Sequence, residues 1–360
     1  MTFRIFNPDH DLALAADKDN FTAPHAGRQL HADLGFLPAL WAEEGDVIIV
    51  DDVDSAREKY RKLSYVQKKN VEFATMQQIP AIANRSAEPV SFDAWGWNRS
   101  LRFQLLKSGV KEHLLPEVPY CLAIRALSSR ETASIVLQNM PFYFGSEICG
   151  ESHFCATSEE AENYIAQYGK CVLKAPWSSS GRGIRYIFDG DEEHHRINTR
   201  NWMLNTLQQQ GGVMVEPYYN KVKDFAMEFM ADGNGNNTFC GLSLFETVNG
   251  AYTGNLIATE TEKQEILGNY VNADLLRKIS NYLEMSVPTK PYRGPSGIDM
   301  MIVASSSDHF LVHPCVEINL RRTMGHVALS ISPKMPEPHR VMSVGYDGGQ
   351  YHFSLKQINK

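Results

Sequence analysis

The sequence predicts an α/β chain, α+β in its later part, that opens with an N-terminal open α/β layer. Three observations carry this. Short apolar runs alternate with helical spacing in the first hundred residues: runs at 3–6, 46–52 and 71–74, and helical spacing over 29–44. Strand–helix–strand alternation of this kind defines an open α/β layer. Later, long apolar runs are joined by turn sequences such as Asp232-Gly233-Asn234-Gly235, which supply the positive-φ residues that hairpins favour. The length of 360 residues fits two or three domains at roughly 100–200 residues each.

In the first layer, Leu30, Leu34, Leu37 and Trp41 share helical spacing. Residues 46–52 read as a buried strand ending in Asp51 and Asp52, and the ends of such strands are a usual place for ligands. Trp95-Gly96-Trp97-Asn98-Arg99-Ser100 leads into a helix over 101–108, and Pro116 and Pro119 mark a boundary near 118. Ser128 or Ser129 N-caps the next helix, with Glu131 in its first turn. Residues 171–174 and 184–188 read as strands around a small-residue loop, and 213–216 as another strand. Residues 224–231, 238–248 and 250–258 form a meander, 275–285 a helix, and 298–304 with 310–319 a hairpin. After Pro333, Pro336 and Pro338 a last hairpin turns at 346–350. The division expected is 1–118, 119–212, 213–332 and a tail hairpin, 333–360.

Lys plus Arg is 35 against 42 for Asp plus Glu, a net charge of −7, with 43 % apolar residues. That is globular rather than disordered composition, and its acidic balance speaks against a nucleic-acid partner. No run approaches the roughly 18 apolar residues of a membrane span, so no membrane partner is expected. Pro8, Asp9, His10 and Asp11 interrupt the first apolar stretch, so no export signal is read there. The six cysteines form no CxxC pair; reduced thiols and a cytoplasmic location are expected.

Three constellations carry chemistry. Lys174 ends a strand before Ser178-Ser179-Ser180-Gly181-Arg182-Gly183, a loop able to fold over phosphates with the lysine beneath as a point charge; the plain alternative is a surface loop. Val215 and Glu216 end an apolar strand, with Tyr219 and Asp224 beyond. Their backbone groups can meet an adenine edge and Asp224 can accept from ribose hydroxyls, or this is simply a strand end with a solvated acid. Glu317 and Asn319 point the same way on a strand, and the hairpin brings Asp299 beside them. Two carboxylates and an amide oxygen suit Mg²⁺ that also holds phosphates; a solvated face with Arg321 and Arg322 in surface ion pairs is the alternative.

In this order the elements resemble the ATP-grasp family over roughly 128–330. The resemblance implies two α/β subdomains that hold ATP between them behind an N-terminal α/β domain. It places Arg130 on the phosphates where the family usually has lysine, and Lys174 on the phosphates and the adenine side. It makes residues 178–183 the phosphate loop, Val215, Glu216 and Tyr219 the adenine hinge, and Asp224 the ribose carboxylate. Asp299, Glu317 and Asn319 become the metal ligands. Asp299 and Glu317 stand 18 positions apart, longer than expected of close relatives, with His313-Pro314 between them. The basic residue often found shortly before this aspartate is absent from Gly294-Pro295-Ser296-Gly297. Arg321 and Arg322 are expected in its place, and with Lys174 form the catalytic set, since a planar guanidinium suits a transferring phosphoryl group.

The activity implied is carboxylate activation. ATP, with Mg²⁺ or Mn²⁺, phosphorylates a small-molecule or peptide carboxylate to an acyl phosphate, and an amine or thiol displaces phosphate. A kinase outcome and a non-catalytic nucleotide sensor are the alternatives, and a homodimer is the default assembly. Asn7–Asp11 and Trp95–Arg99 are candidates for the second substrate, against an Asx turn beside a core aromatic patch. His326 is a substrate contact or a helix cap, and His194-His195 a solvated turn.

Overall fold

The structure is a computed structural model that describes residues 1–178, 183–248, 251–306 and 309–358. Strands β1 (Thr2–Ile5), β2 (Val47–Ile49), β3 (Glu72–Ala74) and β4 (Ser91–Ala94) form a parallel sheet in the order β3-β2-β1-β4. Phe3, Ile5, Val47, Ile48 and Ile49 are buried, as in a parallel sheet covered on both faces. The strand order reverses between β1 and β4, and the crevice beyond their carboxyl ends is a topological switch point. Asn7 and Gly96 meet there: Asn7 Nδ2 donates to Gly96 O (2.8 Å), and Gly96 N donates to Asn7 Oδ1 (3.3 Å). The helix expected over 29–44 is divided into His25–Leu34 and a 3₁₀ turn, Leu37–Leu40. Pro38, which lacks a backbone N–H, sits in that turn.

Strands β5 (His153–Cys155), β6 (Cys171–Lys174), β7 (Ile184–Ile187) and β8 (Val213–Pro217) form a small antiparallel sheet, order β5-β8-β6-β7. The helices Ser158–Tyr168 and Glu193–Gln210 cover one face, with Met203 of the second helix packed in one core with Cys171, Leu173, Val213 and Val215. Strand alternation turns Lys174 and Glu216 to the other face. The turn expected at His194-His195 is instead the start of Glu193–Gln210, where both histidines remain exposed. Polar residues surround most of this helix, leaving little amphipathic signal to read.

The third sheet contains β9 (Lys221–Asp232), β10 (Asn237–Val248), β11 (Ala251–Ile257), β12 (Arg293–Ser306), β13 (His309–Asn319), β14 (Arg340–Tyr346) and β15 (Tyr351–Gln357). Its order is β13-β12-β9-β10-β11-β14-β15, antiparallel throughout, so the last hairpin continues the sheet beyond β11. One face packs on the helices Arg130–Phe144 and Ala273–Ser286, through Leu137, Met140, Phe225, Met227, Ile279 and Ile298. Alternation sends Asp224, Glu228, Asp299, Glu317 and Asn319 to the opposite face.

Glu228 is 1 % exposed beneath the helix Met324–Ile331. A Cβ on Gly325 would overlap Glu228 Oε1 and lie 2.6 Å from Ser243 Oγ. Gly325→Ala is therefore expected to destabilise the protein by about 1–3 kcal/mol, the usual cost of overpacking. Urea unfolding measures this; a stability unchanged from wild type would refute it.

Candidate active site

Three segments converge between the small sheet and the seven-stranded sheet. Arg130 opens the helix Arg130–Phe144, whose cap Ser129 accepts from Glu131 N (3.3 Å). The Arg130 guanidinium is buried. Its Nη1 donates to Ala175 O (2.6 Å) and Ser178 Oγ (2.8 Å), and its Nη2 lies 2.8 and 2.9 Å from the two Glu317 oxygens. One side chain thus ties the start of the serine loop to β13. Lys174 Nζ meets Glu216 Oε2 at 2.6 Å, and Ser152 Oγ donates to Glu216 Oε1 (3.1 Å). Both partners are buried, and a buried ion pair needs such additional hydrogen bonds to offset desolvation.

The other nucleotide-binding candidates occupy varied positions. Ala175 N donates to Gly183 O (2.8 Å), closing the loop at its base. Ser179, Ser180, Gly181 and Arg182 lie outside the described residues. The Val215 side chain belongs to the small sheet's core, away from the face bearing Glu216. Tyr219 lies edge-on to His313, ring centroids 5.5 Å apart. Asp224 Oδ2 accepts from Lys221 Nζ (2.5 Å) and Thr247 Oγ1 (2.7 Å).

Asp299 sits directly opposite Glu317, and Asn319 Nδ2 donates to Asp299 Oδ2 (3.3 Å). The next pairing joins Met301 to His313. Strand β13 therefore spends two extra residues between these pairs; this bulge supplies two of the positions that separate Asp299 from Glu317, and the long arms of the hairpin, which run to the Ser306–His309 pair, supply most of the rest. Burial, together with Glu317 and Glu228 nearby, pushes the Asp299 carboxyl well above the ordinary carboxylate range. A cation relieves such crowding, and the Arg130 guanidinium already covers Glu317. The donor set fits Mg²⁺, a hard cation usually held by one or two carboxylates plus phosphate oxygens and water. Among the described residues no three His, Cys, Asp or Glu side chains form a ready metal cage, so phosphate oxygens and water would complete the coordination.

The two arginines after β13 reach the N-terminal sheet. Arg321 forms a fork with Asp11, Nε to Oδ1 and Nη2 to Oδ2, both at 2.9 Å. Arg322 Nη2 donates to Asp93 Oδ2 (3.3 Å), and its guanidinium lies 4.5 Å from the Trp41 ring centroid. Burial opposes the charge on Arg321, but Asp11, Glu317 and Asp299 outweigh it and raise the pKa of the guanidinium.

Beside this fork, Asn98 Oδ1 accepts the cap hydrogen bond from Leu101 N (2.9 Å), so its Nδ2 faces His10 Nδ1 (3.1 Å) as a donor. Assigned from that network, a neutral His10 carries its proton on Nε2, which is buried without a partner among the described residues. Burial and then Arg321, against the opposing pull of Asp11, push this imidazole down to about 4. His326 takes its capping alternative: Thr323 and His326 form the cap of Met324–Ile331, and His326 Nδ1 meets Glu228 Oε2 at 2.9 Å. The sequence reading missed Glu228, although its two-residue alternation with Asp224 marks it for the same face.

No family model matches the sequence. The fold matches solved structures along nearly its whole length. N5-carboxyaminoimidazole synthetase from Staphylococcus aureus, complexed with ADP, superposes with a TM-score of 0.51 at 13 % identity, covering 97 % of this chain and 83 % of that one. The biotin carboxylase domain dimer of Hydrogenobacter thermophilus 2-oxoglutarate carboxylase, complexed with MgADP, ADP and bicarbonate, gives 0.54 at 12 % identity, covering 95 % and 74 %. Biotin carboxylase from Campylobacter jejuni, in a β-γ-ATP complex, gives 0.52 at 15 % identity, covering 95 % and 75 %. This likeness establishes the fold: α/β with parallel and antiparallel sheets, of the ATP-grasp type.

Proposed function

We propose that this protein is an ATP- and Mg²⁺-dependent ligase that joins a carboxylate to an amine or thiol through an acyl phosphate. One observation carries the reading: between the small sheet and the seven-stranded sheet, Arg130 binds both Glu317, which sits opposite Asp299, and the carbonyl of Ala175, the residue after Lys174, whose ammonium is paired with Glu216. The ADP, MgADP and bicarbonate bound in the superposed structures support it. Two halves of a clamp follow residues 1–118, but the boundary expected at 212 moves to 217, because β8 (Val213–Pro217) belongs to the small sheet, and the tail expected at 333–360 joins the second half, because its hairpin extends the seven-stranded sheet.

In this reading Lys174 is a point charge beneath the phosphates, and Arg130 links their loop to the metal side. Residues 178–183 are assigned to phosphate binding, and Asp224 to the ribose hydroxyls. Glu216 and Tyr219 line the base, with Val215 contributing backbone alone. Asp299, Glu317 and Asn319 would hold Mg²⁺, with Mn²⁺ as a substitute, and the metal would supply charge neutralisation of phosphate oxygens. Arg321 and Arg322 lie where a transferring phosphoryl group and the N-terminal crevice would meet, so a small-molecule or peptide carboxylate and its nucleophile enter there. No helix among the described residues is long and apolar enough to cross a membrane. We place the protein in the cytoplasm, without nucleic-acid or membrane partners and with a homodimer as the assembly to test.

The test is ADP release from MgATP across a panel of small carboxylates, each with and without an amine or thiol, using hydroxylamine to trap an acyl phosphate as a hydroxamate. Carboxylate-dependent release and hydroxamate are expected, with Lys174→Ala lowering kcat/KM for MgATP about 10²-fold. A phosphorylated product that accumulates unchanged in the presence of every nucleophile would assign the kinase outcome instead.

A further inference from the structure

His313 is 1 % exposed, and among the described residues neither ring nitrogen has a hydrogen-bond partner. Burying two such groups unpaired is unfavourable, and native interiors seldom do it. The surroundings are fitted to the ring. Gly150 packs against it with φ +127°, and a Cβ there would lie 2.8 Å from His313 Nε2. Tyr219 meets the ring edge-on from the other chain segment.

The bulge in β13 decides where this side chain points. It sets His313 opposite Met301, and Met301 is opposite Asp224 on β9. Directly paired residues share a sheet face, so His313, Met301 and Asp224 form one row across three strands. The adjacent row on the same face is Glu317, Asp299 and Ala226. A ligand whose phosphates lie over the carboxylate row would extend its nucleoside toward the His313 row and the Glu216–Tyr219 segment.

We propose that His313 is a specificity-determining residue that hydrogen-bonds the base of the bound nucleotide; this rests on the nucleotide reading of the cleft. A neutral imidazole offers one donor and one acceptor nitrogen, which suits the polar edge of a purine and gives the triphosphate nothing. Neutrality is secured by burial first and by Lys174, against the opposing Glu216; together they push the ring down to about 4. The assigned role is selectivity for the base and not the transfer chemistry.

Calorimetric titration of the full chain with MgATP and with magnesium tripolyphosphate, which has no base, tests this. His313→Phe keeps a ring between Gly150 and Tyr219 but removes both nitrogens; His313→Gln restores a donor and an acceptor. His313→Phe is expected to weaken MgATP binding about tenfold, the loss of one buried hydrogen bond, and to leave tripolyphosphate affinity unchanged. His313→Gln should recover part of the loss. Equal weakening of both ligands would show a structural role and overturn the proposal, as would unchanged MgATP affinity in His313→Phe. A wild type that binds no MgATP would overturn the nucleotide reading itself, whereas normal wild-type binding with indifferent variants would remove His313 alone.

Discussion

Replacing Glu317 by alanine is expected to lower MgATP-dependent, carboxylate-dependent ADP release by about 10³-fold, roughly 4 kcal/mol in the barrier. Two consequences of one truncation combine here. The carboxylate row loses a hard ligand for the metal, and the Arg130 guanidinium loses both contacts at 2.8 and 2.9 Å. Arg130 is buried, so its charge is left with only Ala175 O and Ser178 Oγ among the contacts described above. Glu317→Gln separates the two effects. The amide keeps an acceptor for Arg130 but carries no charge for a divalent cation. Its stability should stay near that of wild type while its activity falls as far as that of Glu317→Ala. Thermal melts and an ADP-release assay with varied Mg²⁺ measure both. Normal turnover by Glu317→Gln would remove Glu317 from the metal site, and a collapse in its melting temperature would make its role structural.

The same residues show what the sequence could and could not tell. Strand β6 reads as 171–174 in the sequence and is Cys171–Lys174 in the structure, because a short apolar run closing on a lysine has one economical reading. The Glu317–Asn319 face was legible for a similar reason, since a period of two is local information. The Asp299–Glu317 pairing was less so: its two-residue bulge hides in the spacing and shows only once the register is known. Asp11 carried no local mark of its partner, since Arg321 lies 310 positions away. Likewise Asp224 reads as a free acid, and only the sheet brings Thr247 Oγ1 to it. Helix Glu193–Gln210 escaped because burial of Thr199, Met203 and Thr206 leaves too thin an apolar stripe for periodicity to detect. Local chemistry was visible, while pairings that depend on how the sheets meet were not.

Truncating Asp11 or Arg321 is expected to destabilise the protein by about 3–5 kcal/mol, the usual cost of leaving one charge of a buried pair without its partner. The fork has two parallel N–H···O bonds at 2.9 Å, and both side chains are largely covered, so it has the geometry in which arginine and carboxylate interact most strongly. It also joins the N-terminal switch-point crevice to the strand carrying Glu317, which makes it a mechanical link between the two bodies. The double variant Asp11→Ala/Arg321→Ala should cost less than the sum of the single changes by about 0.5–3 kcal/mol, the coupling expected of contacting residues. The pH dependence has a defined sign. Burial would raise the Asp11 pKa, but the charge and hydrogen bonds of Arg321, with His10 and Arg130 adding to them, outweigh it and hold the folded-state pKa low. A group depressed on folding stabilises fully above its unfolded value of about 3.9 and loses that contribution as pH falls through the folded pKa. The stability gap between wild type and Asp11→Asn should therefore be widest near neutral pH and close below about pH 4. Denaturant unfolding of the four proteins of the cycle, together with Asp11→Asn, from pH 3 to pH 8 measures both quantities. Additive single changes with a pH-independent gap would mean that the two side chains are merely neighbours.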